Sequence, residues 1–437
     1  MQNPRIIKAP WIIPVAGDAG WLAGHCVVIG GDRILAVAPV AEAHGRFPDA
    51  EILELPSHAL LPGLVNAHTH AAMSLLRGYA DDMPLSTWLN RHIWPLEARW
   101  VGAEFVRDGA RLAIAEMISG GTTCFCDMYF FPEVTAAVAV ECGMRAAIGM
   151  IVVNFASAWA SDLNDYFAKG QRLHDQYAQE PLITTLFTPH SPYAVDDDAL
   201  RRISTLAEEL DTQVSTHLHE TAHEVAEALR NRGERPLQQM QRHGLLSPRL
   251  AAVHMTAIDA ADVAELARCG VHVVHCPESN LKLGSGICPV PLLARHGVNV
   301  AIGTDGAASN NDLDMLGEMR TAALLGKGAS SDPTALPAPE VLRMATVNGA
   351  RALGLADRIG SLEAGKQADM VAIDLAHPAT QPVFDPISQI VYAAGRDQVS
   401  DVWIAGRRVL AGRRLTSLDL DSALARANDW RRRIAGA

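Results

Sequence analysis

Leu61-Pro-Gly-Leu-Val-Asn-Ala-His-Thr-His70 is a mostly apolar stretch that ends in two histidines separated by one residue. A short apolar run of this kind is typical of a strand buried on both faces. Side chains two residues apart on a strand point the same way, so the imidazoles of His68 and His70 can reach one metal ion. The stretch therefore predicts a buried strand over residues 59–68, with a metal-binding pair at its carboxyl end.

Seven further apolar runs follow this one along the chain. The eight predicted strands cover residues 59–68, 122–128, 146–153, 183–189, 213–219, 251–255, 271–276 and 298–304. Helix-periodic stretches separate several of them, at residues 104–119, 197–210, 220–230 and 260–268. Alternation of strands and helices implies a parallel sheet, and eight repeats favour its closure. We therefore expect an α/β protein with a (β/α)₈ TIM-type barrel.

The two ends of the chain differ from its middle. Residues 11–40 and 360–415 show the short alternating patterns of strands joined by hairpin turns, one of them at Gly30-Gly31-Asp32. We expect the ends to meet in one small β-sandwich-like domain, made of residues 1–57 and 360–437 and including a C-terminal helix. Residues 58–359 then form the catalytic barrel.

Side chains that can bind a metal lie at the carboxyl ends of five of the eight predicted strands. They are His68 and His70, His190, His217, His254 and Asp305. A single histidine at a strand end is usually an ordinary surface residue. Metal-binding residues at the ends of five strands indicate a site, because the carboxyl ends of barrel strands converge on one mouth. The set His68, His70, His217 and Asp305 offers three nitrogens and one carboxylate, which suits a zinc-like divalent ion with room for a water.

One member of this set and two residues near it have the chemistry that a hydrolase needs. Asp305 can contact the metal and also accept a proton from the attacking water. His254 can hydrogen-bond the same water and stabilise the charge that develops during its attack. Glu220, three residues past His217, can carry a proton to a ring nitrogen and then to leaving ammonia.

The segment His219-Glu-Thr-Ala-His223 matches the HExxH pattern of zinc proteases. That pattern needs both histidines on one face of a helix. Here His219 still belongs to the predicted strand 213–219, so we reject the protease interpretation. We expect His219 to pack outside the barrel interior, and the roles of His219 and His223 stay open.

Composition limits the function classes further. The net charge of −12 over 437 residues argues against a nucleic-acid partner, which would need a basic surface. The seven cysteines lack disulfide or CxxC spacing, which fits buried thiols in a reducing cytoplasm. The longest apolar run, residues 146–160, is too short to span a membrane, and the first residues lack a signal-peptide pattern. We expect a cytoplasmic protein without a membrane partner; a homodimer is compatible with the sequence.

Four sequence blocks carry a resemblance to a known family. They are Leu61-Pro-Gly-Leu-Val-Asn-Ala-His-Thr-His70, His217-Leu-His-Glu220, His275-Cys-Pro-Glu-Ser-Asn-Leu-Lys282 and Gly303-Thr-Asp-Gly306. They resemble the amidohydrolase superfamily and, within it, the 5′-methylthioadenosine/S-adenosylhomocysteine deaminases and their chlorohydrolase relatives. Trp94-Pro-Leu-Glu97 and Thr188-Pro-His-Ser-Pro-Tyr193 support the narrower match. The resemblance covers nearly the whole chain.

The resemblance implies a role for each matching residue. It implies His68, His70, His217 and Asp305 as metal ligands, Glu220 as proton shuttle, Glu97 and His190 as substrate contacts, and Ser309 as a contact to the base. Glu97 would bind the ribose hydroxyls. Binuclear relatives bridge two metals through a modified lysine on the fourth strand. This chain has no lysine between Lys169 and Lys282, so we expect one divalent ion, with zinc as the expected metal.

The implied activity is hydrolytic deamination of an adenine nucleoside to the inosine analogue and ammonia. Some relatives bind the S-adenosylhomocysteine carboxylate with arginines after the third strand, but residues 152–159 contain none. This favours 5′-methylthioadenosine or adenosine, with S-adenosylhomocysteine as a third candidate. The alternatives are an aminohydrolase or chlorohydrolase of triazines and a guanine or pterin deaminase, whose substrates lack ribose. A metal-free structural relative should have lost ligands, and none is missing.

Overall fold

The computed structural model describes residues 3–17 and 20–436. Within them the strands alternate with helices through the middle of the chain and cluster at its two ends. The strands are β1 (Arg5–Lys8), β2 (Trp11–Ile12), β3 (His25–Gly30), β4 (Arg33–Pro39), β5 (Glu51–Glu54), β6 (His58–Pro62), β7 (Leu64–Thr69), β8 (Thr122–Asp127), β9 (Arg145–Val152), β10 (Ile183–Pro189), β11 (Val214–Leu218), β12 (Leu250–His254), β13 (His272–His275), β14 (Val300–Ile302), β15 (Met370–Asp374), β16 (Val399–Ile404), β17 (Arg407–Ala411) and β18 (Arg414–Leu415).

The helices lie mainly between the strands of the middle segment. They are α1 (Val40–Arg46), α2 (Leu85–Trp88), α3 (Trp94–Trp100), α4 (Ala103–Ser119), α5 (Pro132–Cys142), α6 (Leu163–Tyr177), α7 (Asp197–Glu209), α8 (Ala222–Arg232), α9 (Pro236–Arg242), α10 (Ala260–Cys269), α11 (Pro277–Lys282), α12 (Val290–Arg295), α13 (Met315–Ser330), α14 (Ala338–Met344), α15 (Val347–Ala352), α16 (Pro386–Tyr392) and α17 (Leu420–Ala435). A π-helical turn, Leu89–Ile93, joins α2 to α3.

Strands β7 to β14 form one parallel eight-stranded sheet in which each strand pairs with the next along the chain. Hydrogen bonds between β7 and the residues that follow β14 connect the first and last strands of this sheet and close the barrel. The Asn66 amide donates to Thr304 Oγ1 at 2.8 Å and accepts from the Thr304 backbone N at 3.0 Å. The backbone N of Asp305 donates to the carbonyl of His68 at 3.0 Å. The predicted (β/α)₈ barrel is confirmed.

Burial patterns explain why these segments form their elements. All eight residues of β9 are buried, as expected for a barrel strand covered by side chains inside and helices outside. By contrast, β4 alternates exposed and buried residues, because one of its faces meets solvent. Helix α7 begins where the Asp196 side chain accepts from the Ala199 backbone N at 2.8 Å, a typical N-cap bond.

The predicted first strand, residues 59–68, is wrong as a single element. The chain forms β6, which pairs with β15 in the small domain, and then β7, which pairs with β8 in the barrel. Gly63 lies at the change of sheet. A Cβ on Gly63 would lie 2.0 Å from Thr123 Oγ1, so only glycine permits this close approach. The apolar run is continuous because both strands are buried.

The two ends of the chain form the small β domain, as predicted. One sheet has the order β4-β3-β1-β5, and the other has the order β18-β17-β16-β15-β6-β2. Apolar side chains from both sheets meet in a shared core that includes Ile7, Val27, Met370 and Trp403. The C-terminal helix α17 then returns to the barrel, where Trp430 packs against Phe105 of α4. The sequence boundaries proposed for the two domains stay a prediction.

A buried ion pair connects the barrel with the small domain. The guanidinium of Arg145, on β9, donates to both carboxylate oxygens of Asp369 at 2.7 and 3.0 Å. Arg145 also donates to the Pro181 carbonyl, and the Ala405 backbone N donates to Asp369. Both charged side chains are 1% exposed, so each charge depends on its partner.

All seven cysteines are free thiols, and all except the partly exposed Cys269 are buried, as expected. None of the helices in the described part of the chain is long and apolar enough to cross a membrane.

Candidate active site

The predicted metal-binding side chains meet at the carboxyl ends of the barrel strands. His68 lies on β7 and His70 directly follows it, His217 lies on β11, and Asp305 follows β14. One ligand atom from each of these four residues lies within 4.8 Å of the others. His68 Nε2 and His217 Nε2 are 3.1 Å apart, and Asp305 Oδ1 lies 3.2 Å from His70 Nε2. Four electron-rich atoms at such distances fit a shared divalent cation.

Backbone carbonyls orient two of the imidazoles. His70 Nδ1 donates to the Met128 carbonyl at 2.5 Å, and His217 Nδ1 donates to the His190 carbonyl at 2.7 Å. A ring whose Nδ1 carries the proton presents the Nε2 lone pair to a metal. Burial lowers the pKa of His217 well below its usual value, which keeps the ring neutral, as a ligand must be. The donor set therefore fits one divalent ion.

Asp305 is held by two hydroxyl groups. Ser279 and Ser309 donate to its Oδ2 at 2.6 and 2.7 Å, which leaves Oδ1 toward His68 and His70. Sequence reasoning assigned no role to Ser279. Its sequence signals are its place in the block His275–Lys282 and its position shortly after the seventh barrel strand, where polar residues reach the mouth. For Ser309 the structure supplies the contact to Asp305, and the contact to the base stays a prediction.

His254 is the last residue of β12, and its ring is buried. The Asn280 amide donates to His254 Nδ1 at 2.9 Å, a contact that sequence reasoning also missed. The proton of the neutral ring therefore lies on Nε2, where it can be donated toward the metal group. Burial lowers the pKa of His254 to about 4, so the ring is neutral at physiological pH.

Glu220 follows β11 and is 8% exposed. Burial, with a contribution from the charge of Asp305, raises the pKa of Glu220 to about 8. Its carboxyl group therefore carries a proton at neutral pH and can act as an acid. Its Oε1 also lies 3.5 Å from the Ser285 hydroxyl, while its backbone N donates to Glu224 at 2.7 Å.

The metal group opens into a cavity of about 730 Å³. Its walls are mainly apolar and aromatic, and they include Trp88, Trp94, Phe130, Phe155 and Tyr193. Every predicted site residue except the fully buried His68 lines this cavity: His70, Glu97, His190, His217, Glu220, His254, Asp305 and Ser309. A cavity of this size can enclose a nucleoside.

Glu97 enters the cavity from helix α3, outside the barrel strands. Its Oε1 accepts a 2.6 Å hydrogen bond from the Tyr129 hydroxyl, and burial raises the pKa of Glu97. The other carboxylate oxygen remains for a ligand. His190 follows β10 and packs edge-to-face against His217, with ring centroids 4.7 Å apart and ring planes 62° apart. Burial lowers the pKa of His190 to about 3, so its neutral ring can hydrogen-bond a hydroxyl.

The histidines of the HExxH segment do not join the metal group. His219 follows β11 in a left-handed conformation (φ +50°), ahead of α8. It is buried and bonds the Ala257 carbonyl at 2.9 Å and the Leu237 backbone N at 3.1 Å. His223 is exposed, with Glu227 3.7 Å away. The pattern therefore lacks the helix that the protease motif requires.

An eight-stranded barrel with three histidines and an aspartate at its mouth defines a metal-dependent hydrolase. The chain belongs to the amidohydrolase family, whose model matches residues 59–409.

Similar proteins cover nearly the whole chain. A 5-methylthioadenosine/S-adenosylhomocysteine deaminase from Teredinibacter turnerae is 49% identical over 98% of this chain and 97% of its own. Another of the same name from Saccharophagus degradans is 47% identical over 98% and 96%. A solved adenosine deaminase from Xanthomonas campestris, with bound zinc, is 52% identical over 99% of this chain and 98% of its own, with a TM-score of 0.97. An atrazine chlorohydrolase from Arthrobacter aurescens, 24% identical over 97% of this chain and 99% of its own with a TM-score of 0.90, shares the fold.

Purified protein should contain about one divalent ion per chain, because the described residues offer a single four-donor group. His217→Ala should lose most of this metal, while His223→Ala, which changes an exposed histidine, should keep it. Elemental analysis after dialysis measures both. Two ions per chain, or full retention of metal in His217→Ala, would contradict the assignment.

Proposed function

We propose that this chain is a hydrolytic deaminase of adenine nucleosides that releases the inosine analogue and ammonia. Its substrates are 5′-methylthioadenosine and adenosine, with S-adenosylhomocysteine as a third candidate. One observation carries the proposal: Glu220 and Glu97 line the same cavity as the metal group. Burial raises the pKa of Glu220 to about 8, and one carboxylate oxygen of Glu97 accepts from Tyr129 while the other remains for a ligand. The first can serve the purine ring and the second the ribose diol.

The bound metal is zinc in this proposal, and it supplies Lewis-acid activation of the attacking water. Asp305 accepts the proton of that water through the carboxylate that Ser279 and Ser309 orient. His254 donates from Nε2 to the oxygen that attacks the ring. Glu220 gives its proton to the ring nitrogen next to the reacting carbon, then takes the remaining hydrogen of the added hydroxyl and passes it to the amino group. The carbon–nitrogen bond breaks, ammonia leaves, and the proton held by Asp305 returns to Glu220.

Glu97 distinguishes this proposal from the triazine, guanine and pterin alternatives. Those substrates carry no ribose, so the Glu97 oxygen that Tyr129 does not bond would be covered by the ligand without gaining a hydroxyl partner, which costs free energy. The chlorohydrolase and a guanine deaminase from C. acetobutylicum share the fold at 24% and 20% identity. The relatives at 47–49% identity carry a nucleoside deaminase name, which favours a nucleoside.

Ammonia release should be fast with adenosine and 5′-methylthioadenosine and slow with free adenine and 2′,3′-dideoxyadenosine. A polar oxygen that a ligand covers without supplying a partner costs about 1–3 kcal/mol, which corresponds to roughly 5–150-fold in kcat/KM. S-adenosylhomocysteine should be slower than 5′-methylthioadenosine. Residues 154–158 of the cavity wall carry no cation that could bind the homocysteine carboxylate. Arg232 also lines the cavity, but it is exposed, and an exposed charge pair contributes little to binding.

A pair of variants tests the cause of this preference. Glu97→Ala should reduce the preference for ribose by removing the carboxylate oxygen that lacks a partner when the substrate has no ribose. Glu104→Ala, which changes a surface carboxylate paired with Arg426, should keep it. Faster turnover of free bases or triazines than of any nucleoside would overturn the nucleoside assignment and leave the metal-dependent hydrolase intact.

A further inference from the structure

Glu318 is a fully buried carboxyl group on helix α13 that the proposed chemistry does not use. It accepts hydrogen bonds from two segments that lie far apart in the sequence. The Asn310 side-chain amide donates to Glu318 Oε1 at 2.5 Å, and the backbone N of Glu278 donates to Oε2 at 3.3 Å. Burying a carboxyl group is costly, and an apolar side chain would fill the same space without that cost. The two hydrogen bonds therefore indicate a role for Glu318 that an apolar side chain could not fill.

The first contact reaches the loop that carries Asp305. The Asn310 amide also donates to the carbonyl of Thr304 at 2.7 Å. Asn310 therefore connects Thr304, the residue before Asp305, with Glu318 on helix α13. Asp305 itself has φ +60°, a left-handed conformation that residues other than glycine adopt infrequently. Such a conformation persists only when the surrounding structure holds it. Glu318 is part of what holds it.

The second contact reaches the start of helix α11. The backbone N of Glu278 is one of the N–H groups that a helix leaves without an internal partner, and Glu318 supplies that partner. The next two residues orient the catalytic groups: Ser279 donates to Asp305 at 2.6 Å, and Asn280 donates to His254 at 2.9 Å. Placing the first turn of α11 therefore places both of these donors.

We propose that Glu318 is a positioning residue that holds the two loops from which Asp305 and His254 receive their orientation. It touches neither the metal group nor the cavity, and it acts through Asn310 and through the first turn of α11. The kinetic part of this inference rests on the proposed function, whereas the metal-binding part does not.

Glu318→Met tests the inference, because methionine has a similar volume and cannot accept these hydrogen bonds. Loss of a supporting hydrogen bond of this kind typically costs about 10–100-fold in activity or metal affinity. We expect kcat for the best nucleoside and zinc affinity, measured by chelator competition, to fall within that range. KM should stay within about threefold, because the cavity walls are unchanged. Glu318→Gln keeps one acceptor and should recover part of both losses.

Glu340→Met, which changes a partly buried carboxyl on α14, serves as the matched control and should leave kcat and zinc affinity unchanged. Thermal melting establishes that each variant is folded. If Glu318→Met does not fold, Asn310→Ala breaks the same connection at the loop and should give the same loss of kcat and zinc affinity. Folded variants with kcat and zinc affinity within about twofold of the parent would overturn the inference. If the parent deaminates no nucleoside, the proposed function fails, and zinc affinity still decides the role of Glu318.

Discussion

Glu220→Gln should lower kcat by about 10²–10⁴-fold, the usual contribution of a general acid–base group. Glutamine has nearly the same shape as the protonated carboxyl, but it cannot give up a proton to the ring nitrogen. The variant should keep its metal and still bind nucleoside, because Glu220 is not among the four predicted ligands. Steady-state kinetics, elemental analysis and a binding measurement with the product analogue test the three expectations separately.

The pH dependence provides a second readout for Glu220. Its pKa is raised to about 8, so the carboxyl is protonated below that pH and loses its proton above it. If the protonated form acts, kcat/KM of the parent should fall as the pH rises through about 8. Glu227→Gln, which changes an exposed carboxyl on α8, should keep the parental rate and profile. A Glu220→Gln rate within about threefold of the parent would show that Glu220 is not the shuttle.

Asp369→Ala should lower the free energy of unfolding by about 3–5 kcal/mol, as expected when one member of a buried ion pair is removed. The guanidinium of Arg145, which is 1% exposed in the parent, would lose its counter-charge. The Ala405 backbone N would also lose its acceptor. The pair lies between β9 and the small domain. The lower free energy of unfolding should appear as a lower urea concentration at the midpoint of unfolding.

Two further variants identify the cause of this loss. Glu51→Ala removes the 70% exposed partner of Arg5 on the small domain and should cost no more than about 1 kcal/mol. Arg145→Met combined with Asp369→Leu removes both buried charges and should recover most of the stability lost in Asp369→Ala. A double variant as unstable as Asp369→Ala would point to lost packing rather than to an uncompensated charge.

The barrel and its metal group could be predicted from the sequence because each depends on a local signal. Apolar runs of strand length recur with helical stretches between them, and this pattern is visible without any tertiary contact. The metal ligands lie at strand ends, and the geometry of a parallel barrel brings strand ends together whatever the details of packing. His68 and His70 needed only the two-residue repeat of a strand.

Contacts between distant segments were decided by the tertiary structure alone. The apolar pattern at residues 59–68 could not show that β6 and β7 belong to different sheets, because strands buried in either sheet have the same composition. No periodic pattern marks Ser279, Asn280 or Glu318. The first two bond residues 26 positions away. Glu318 bonds the backbone of a residue 40 positions away and the side chain of Asn310 in a loop. Such bonds depend on the direction of a side chain after folding. The sequence therefore determined which chemical groups reach the mouth of the barrel, whereas packing between elements determined how those groups are held.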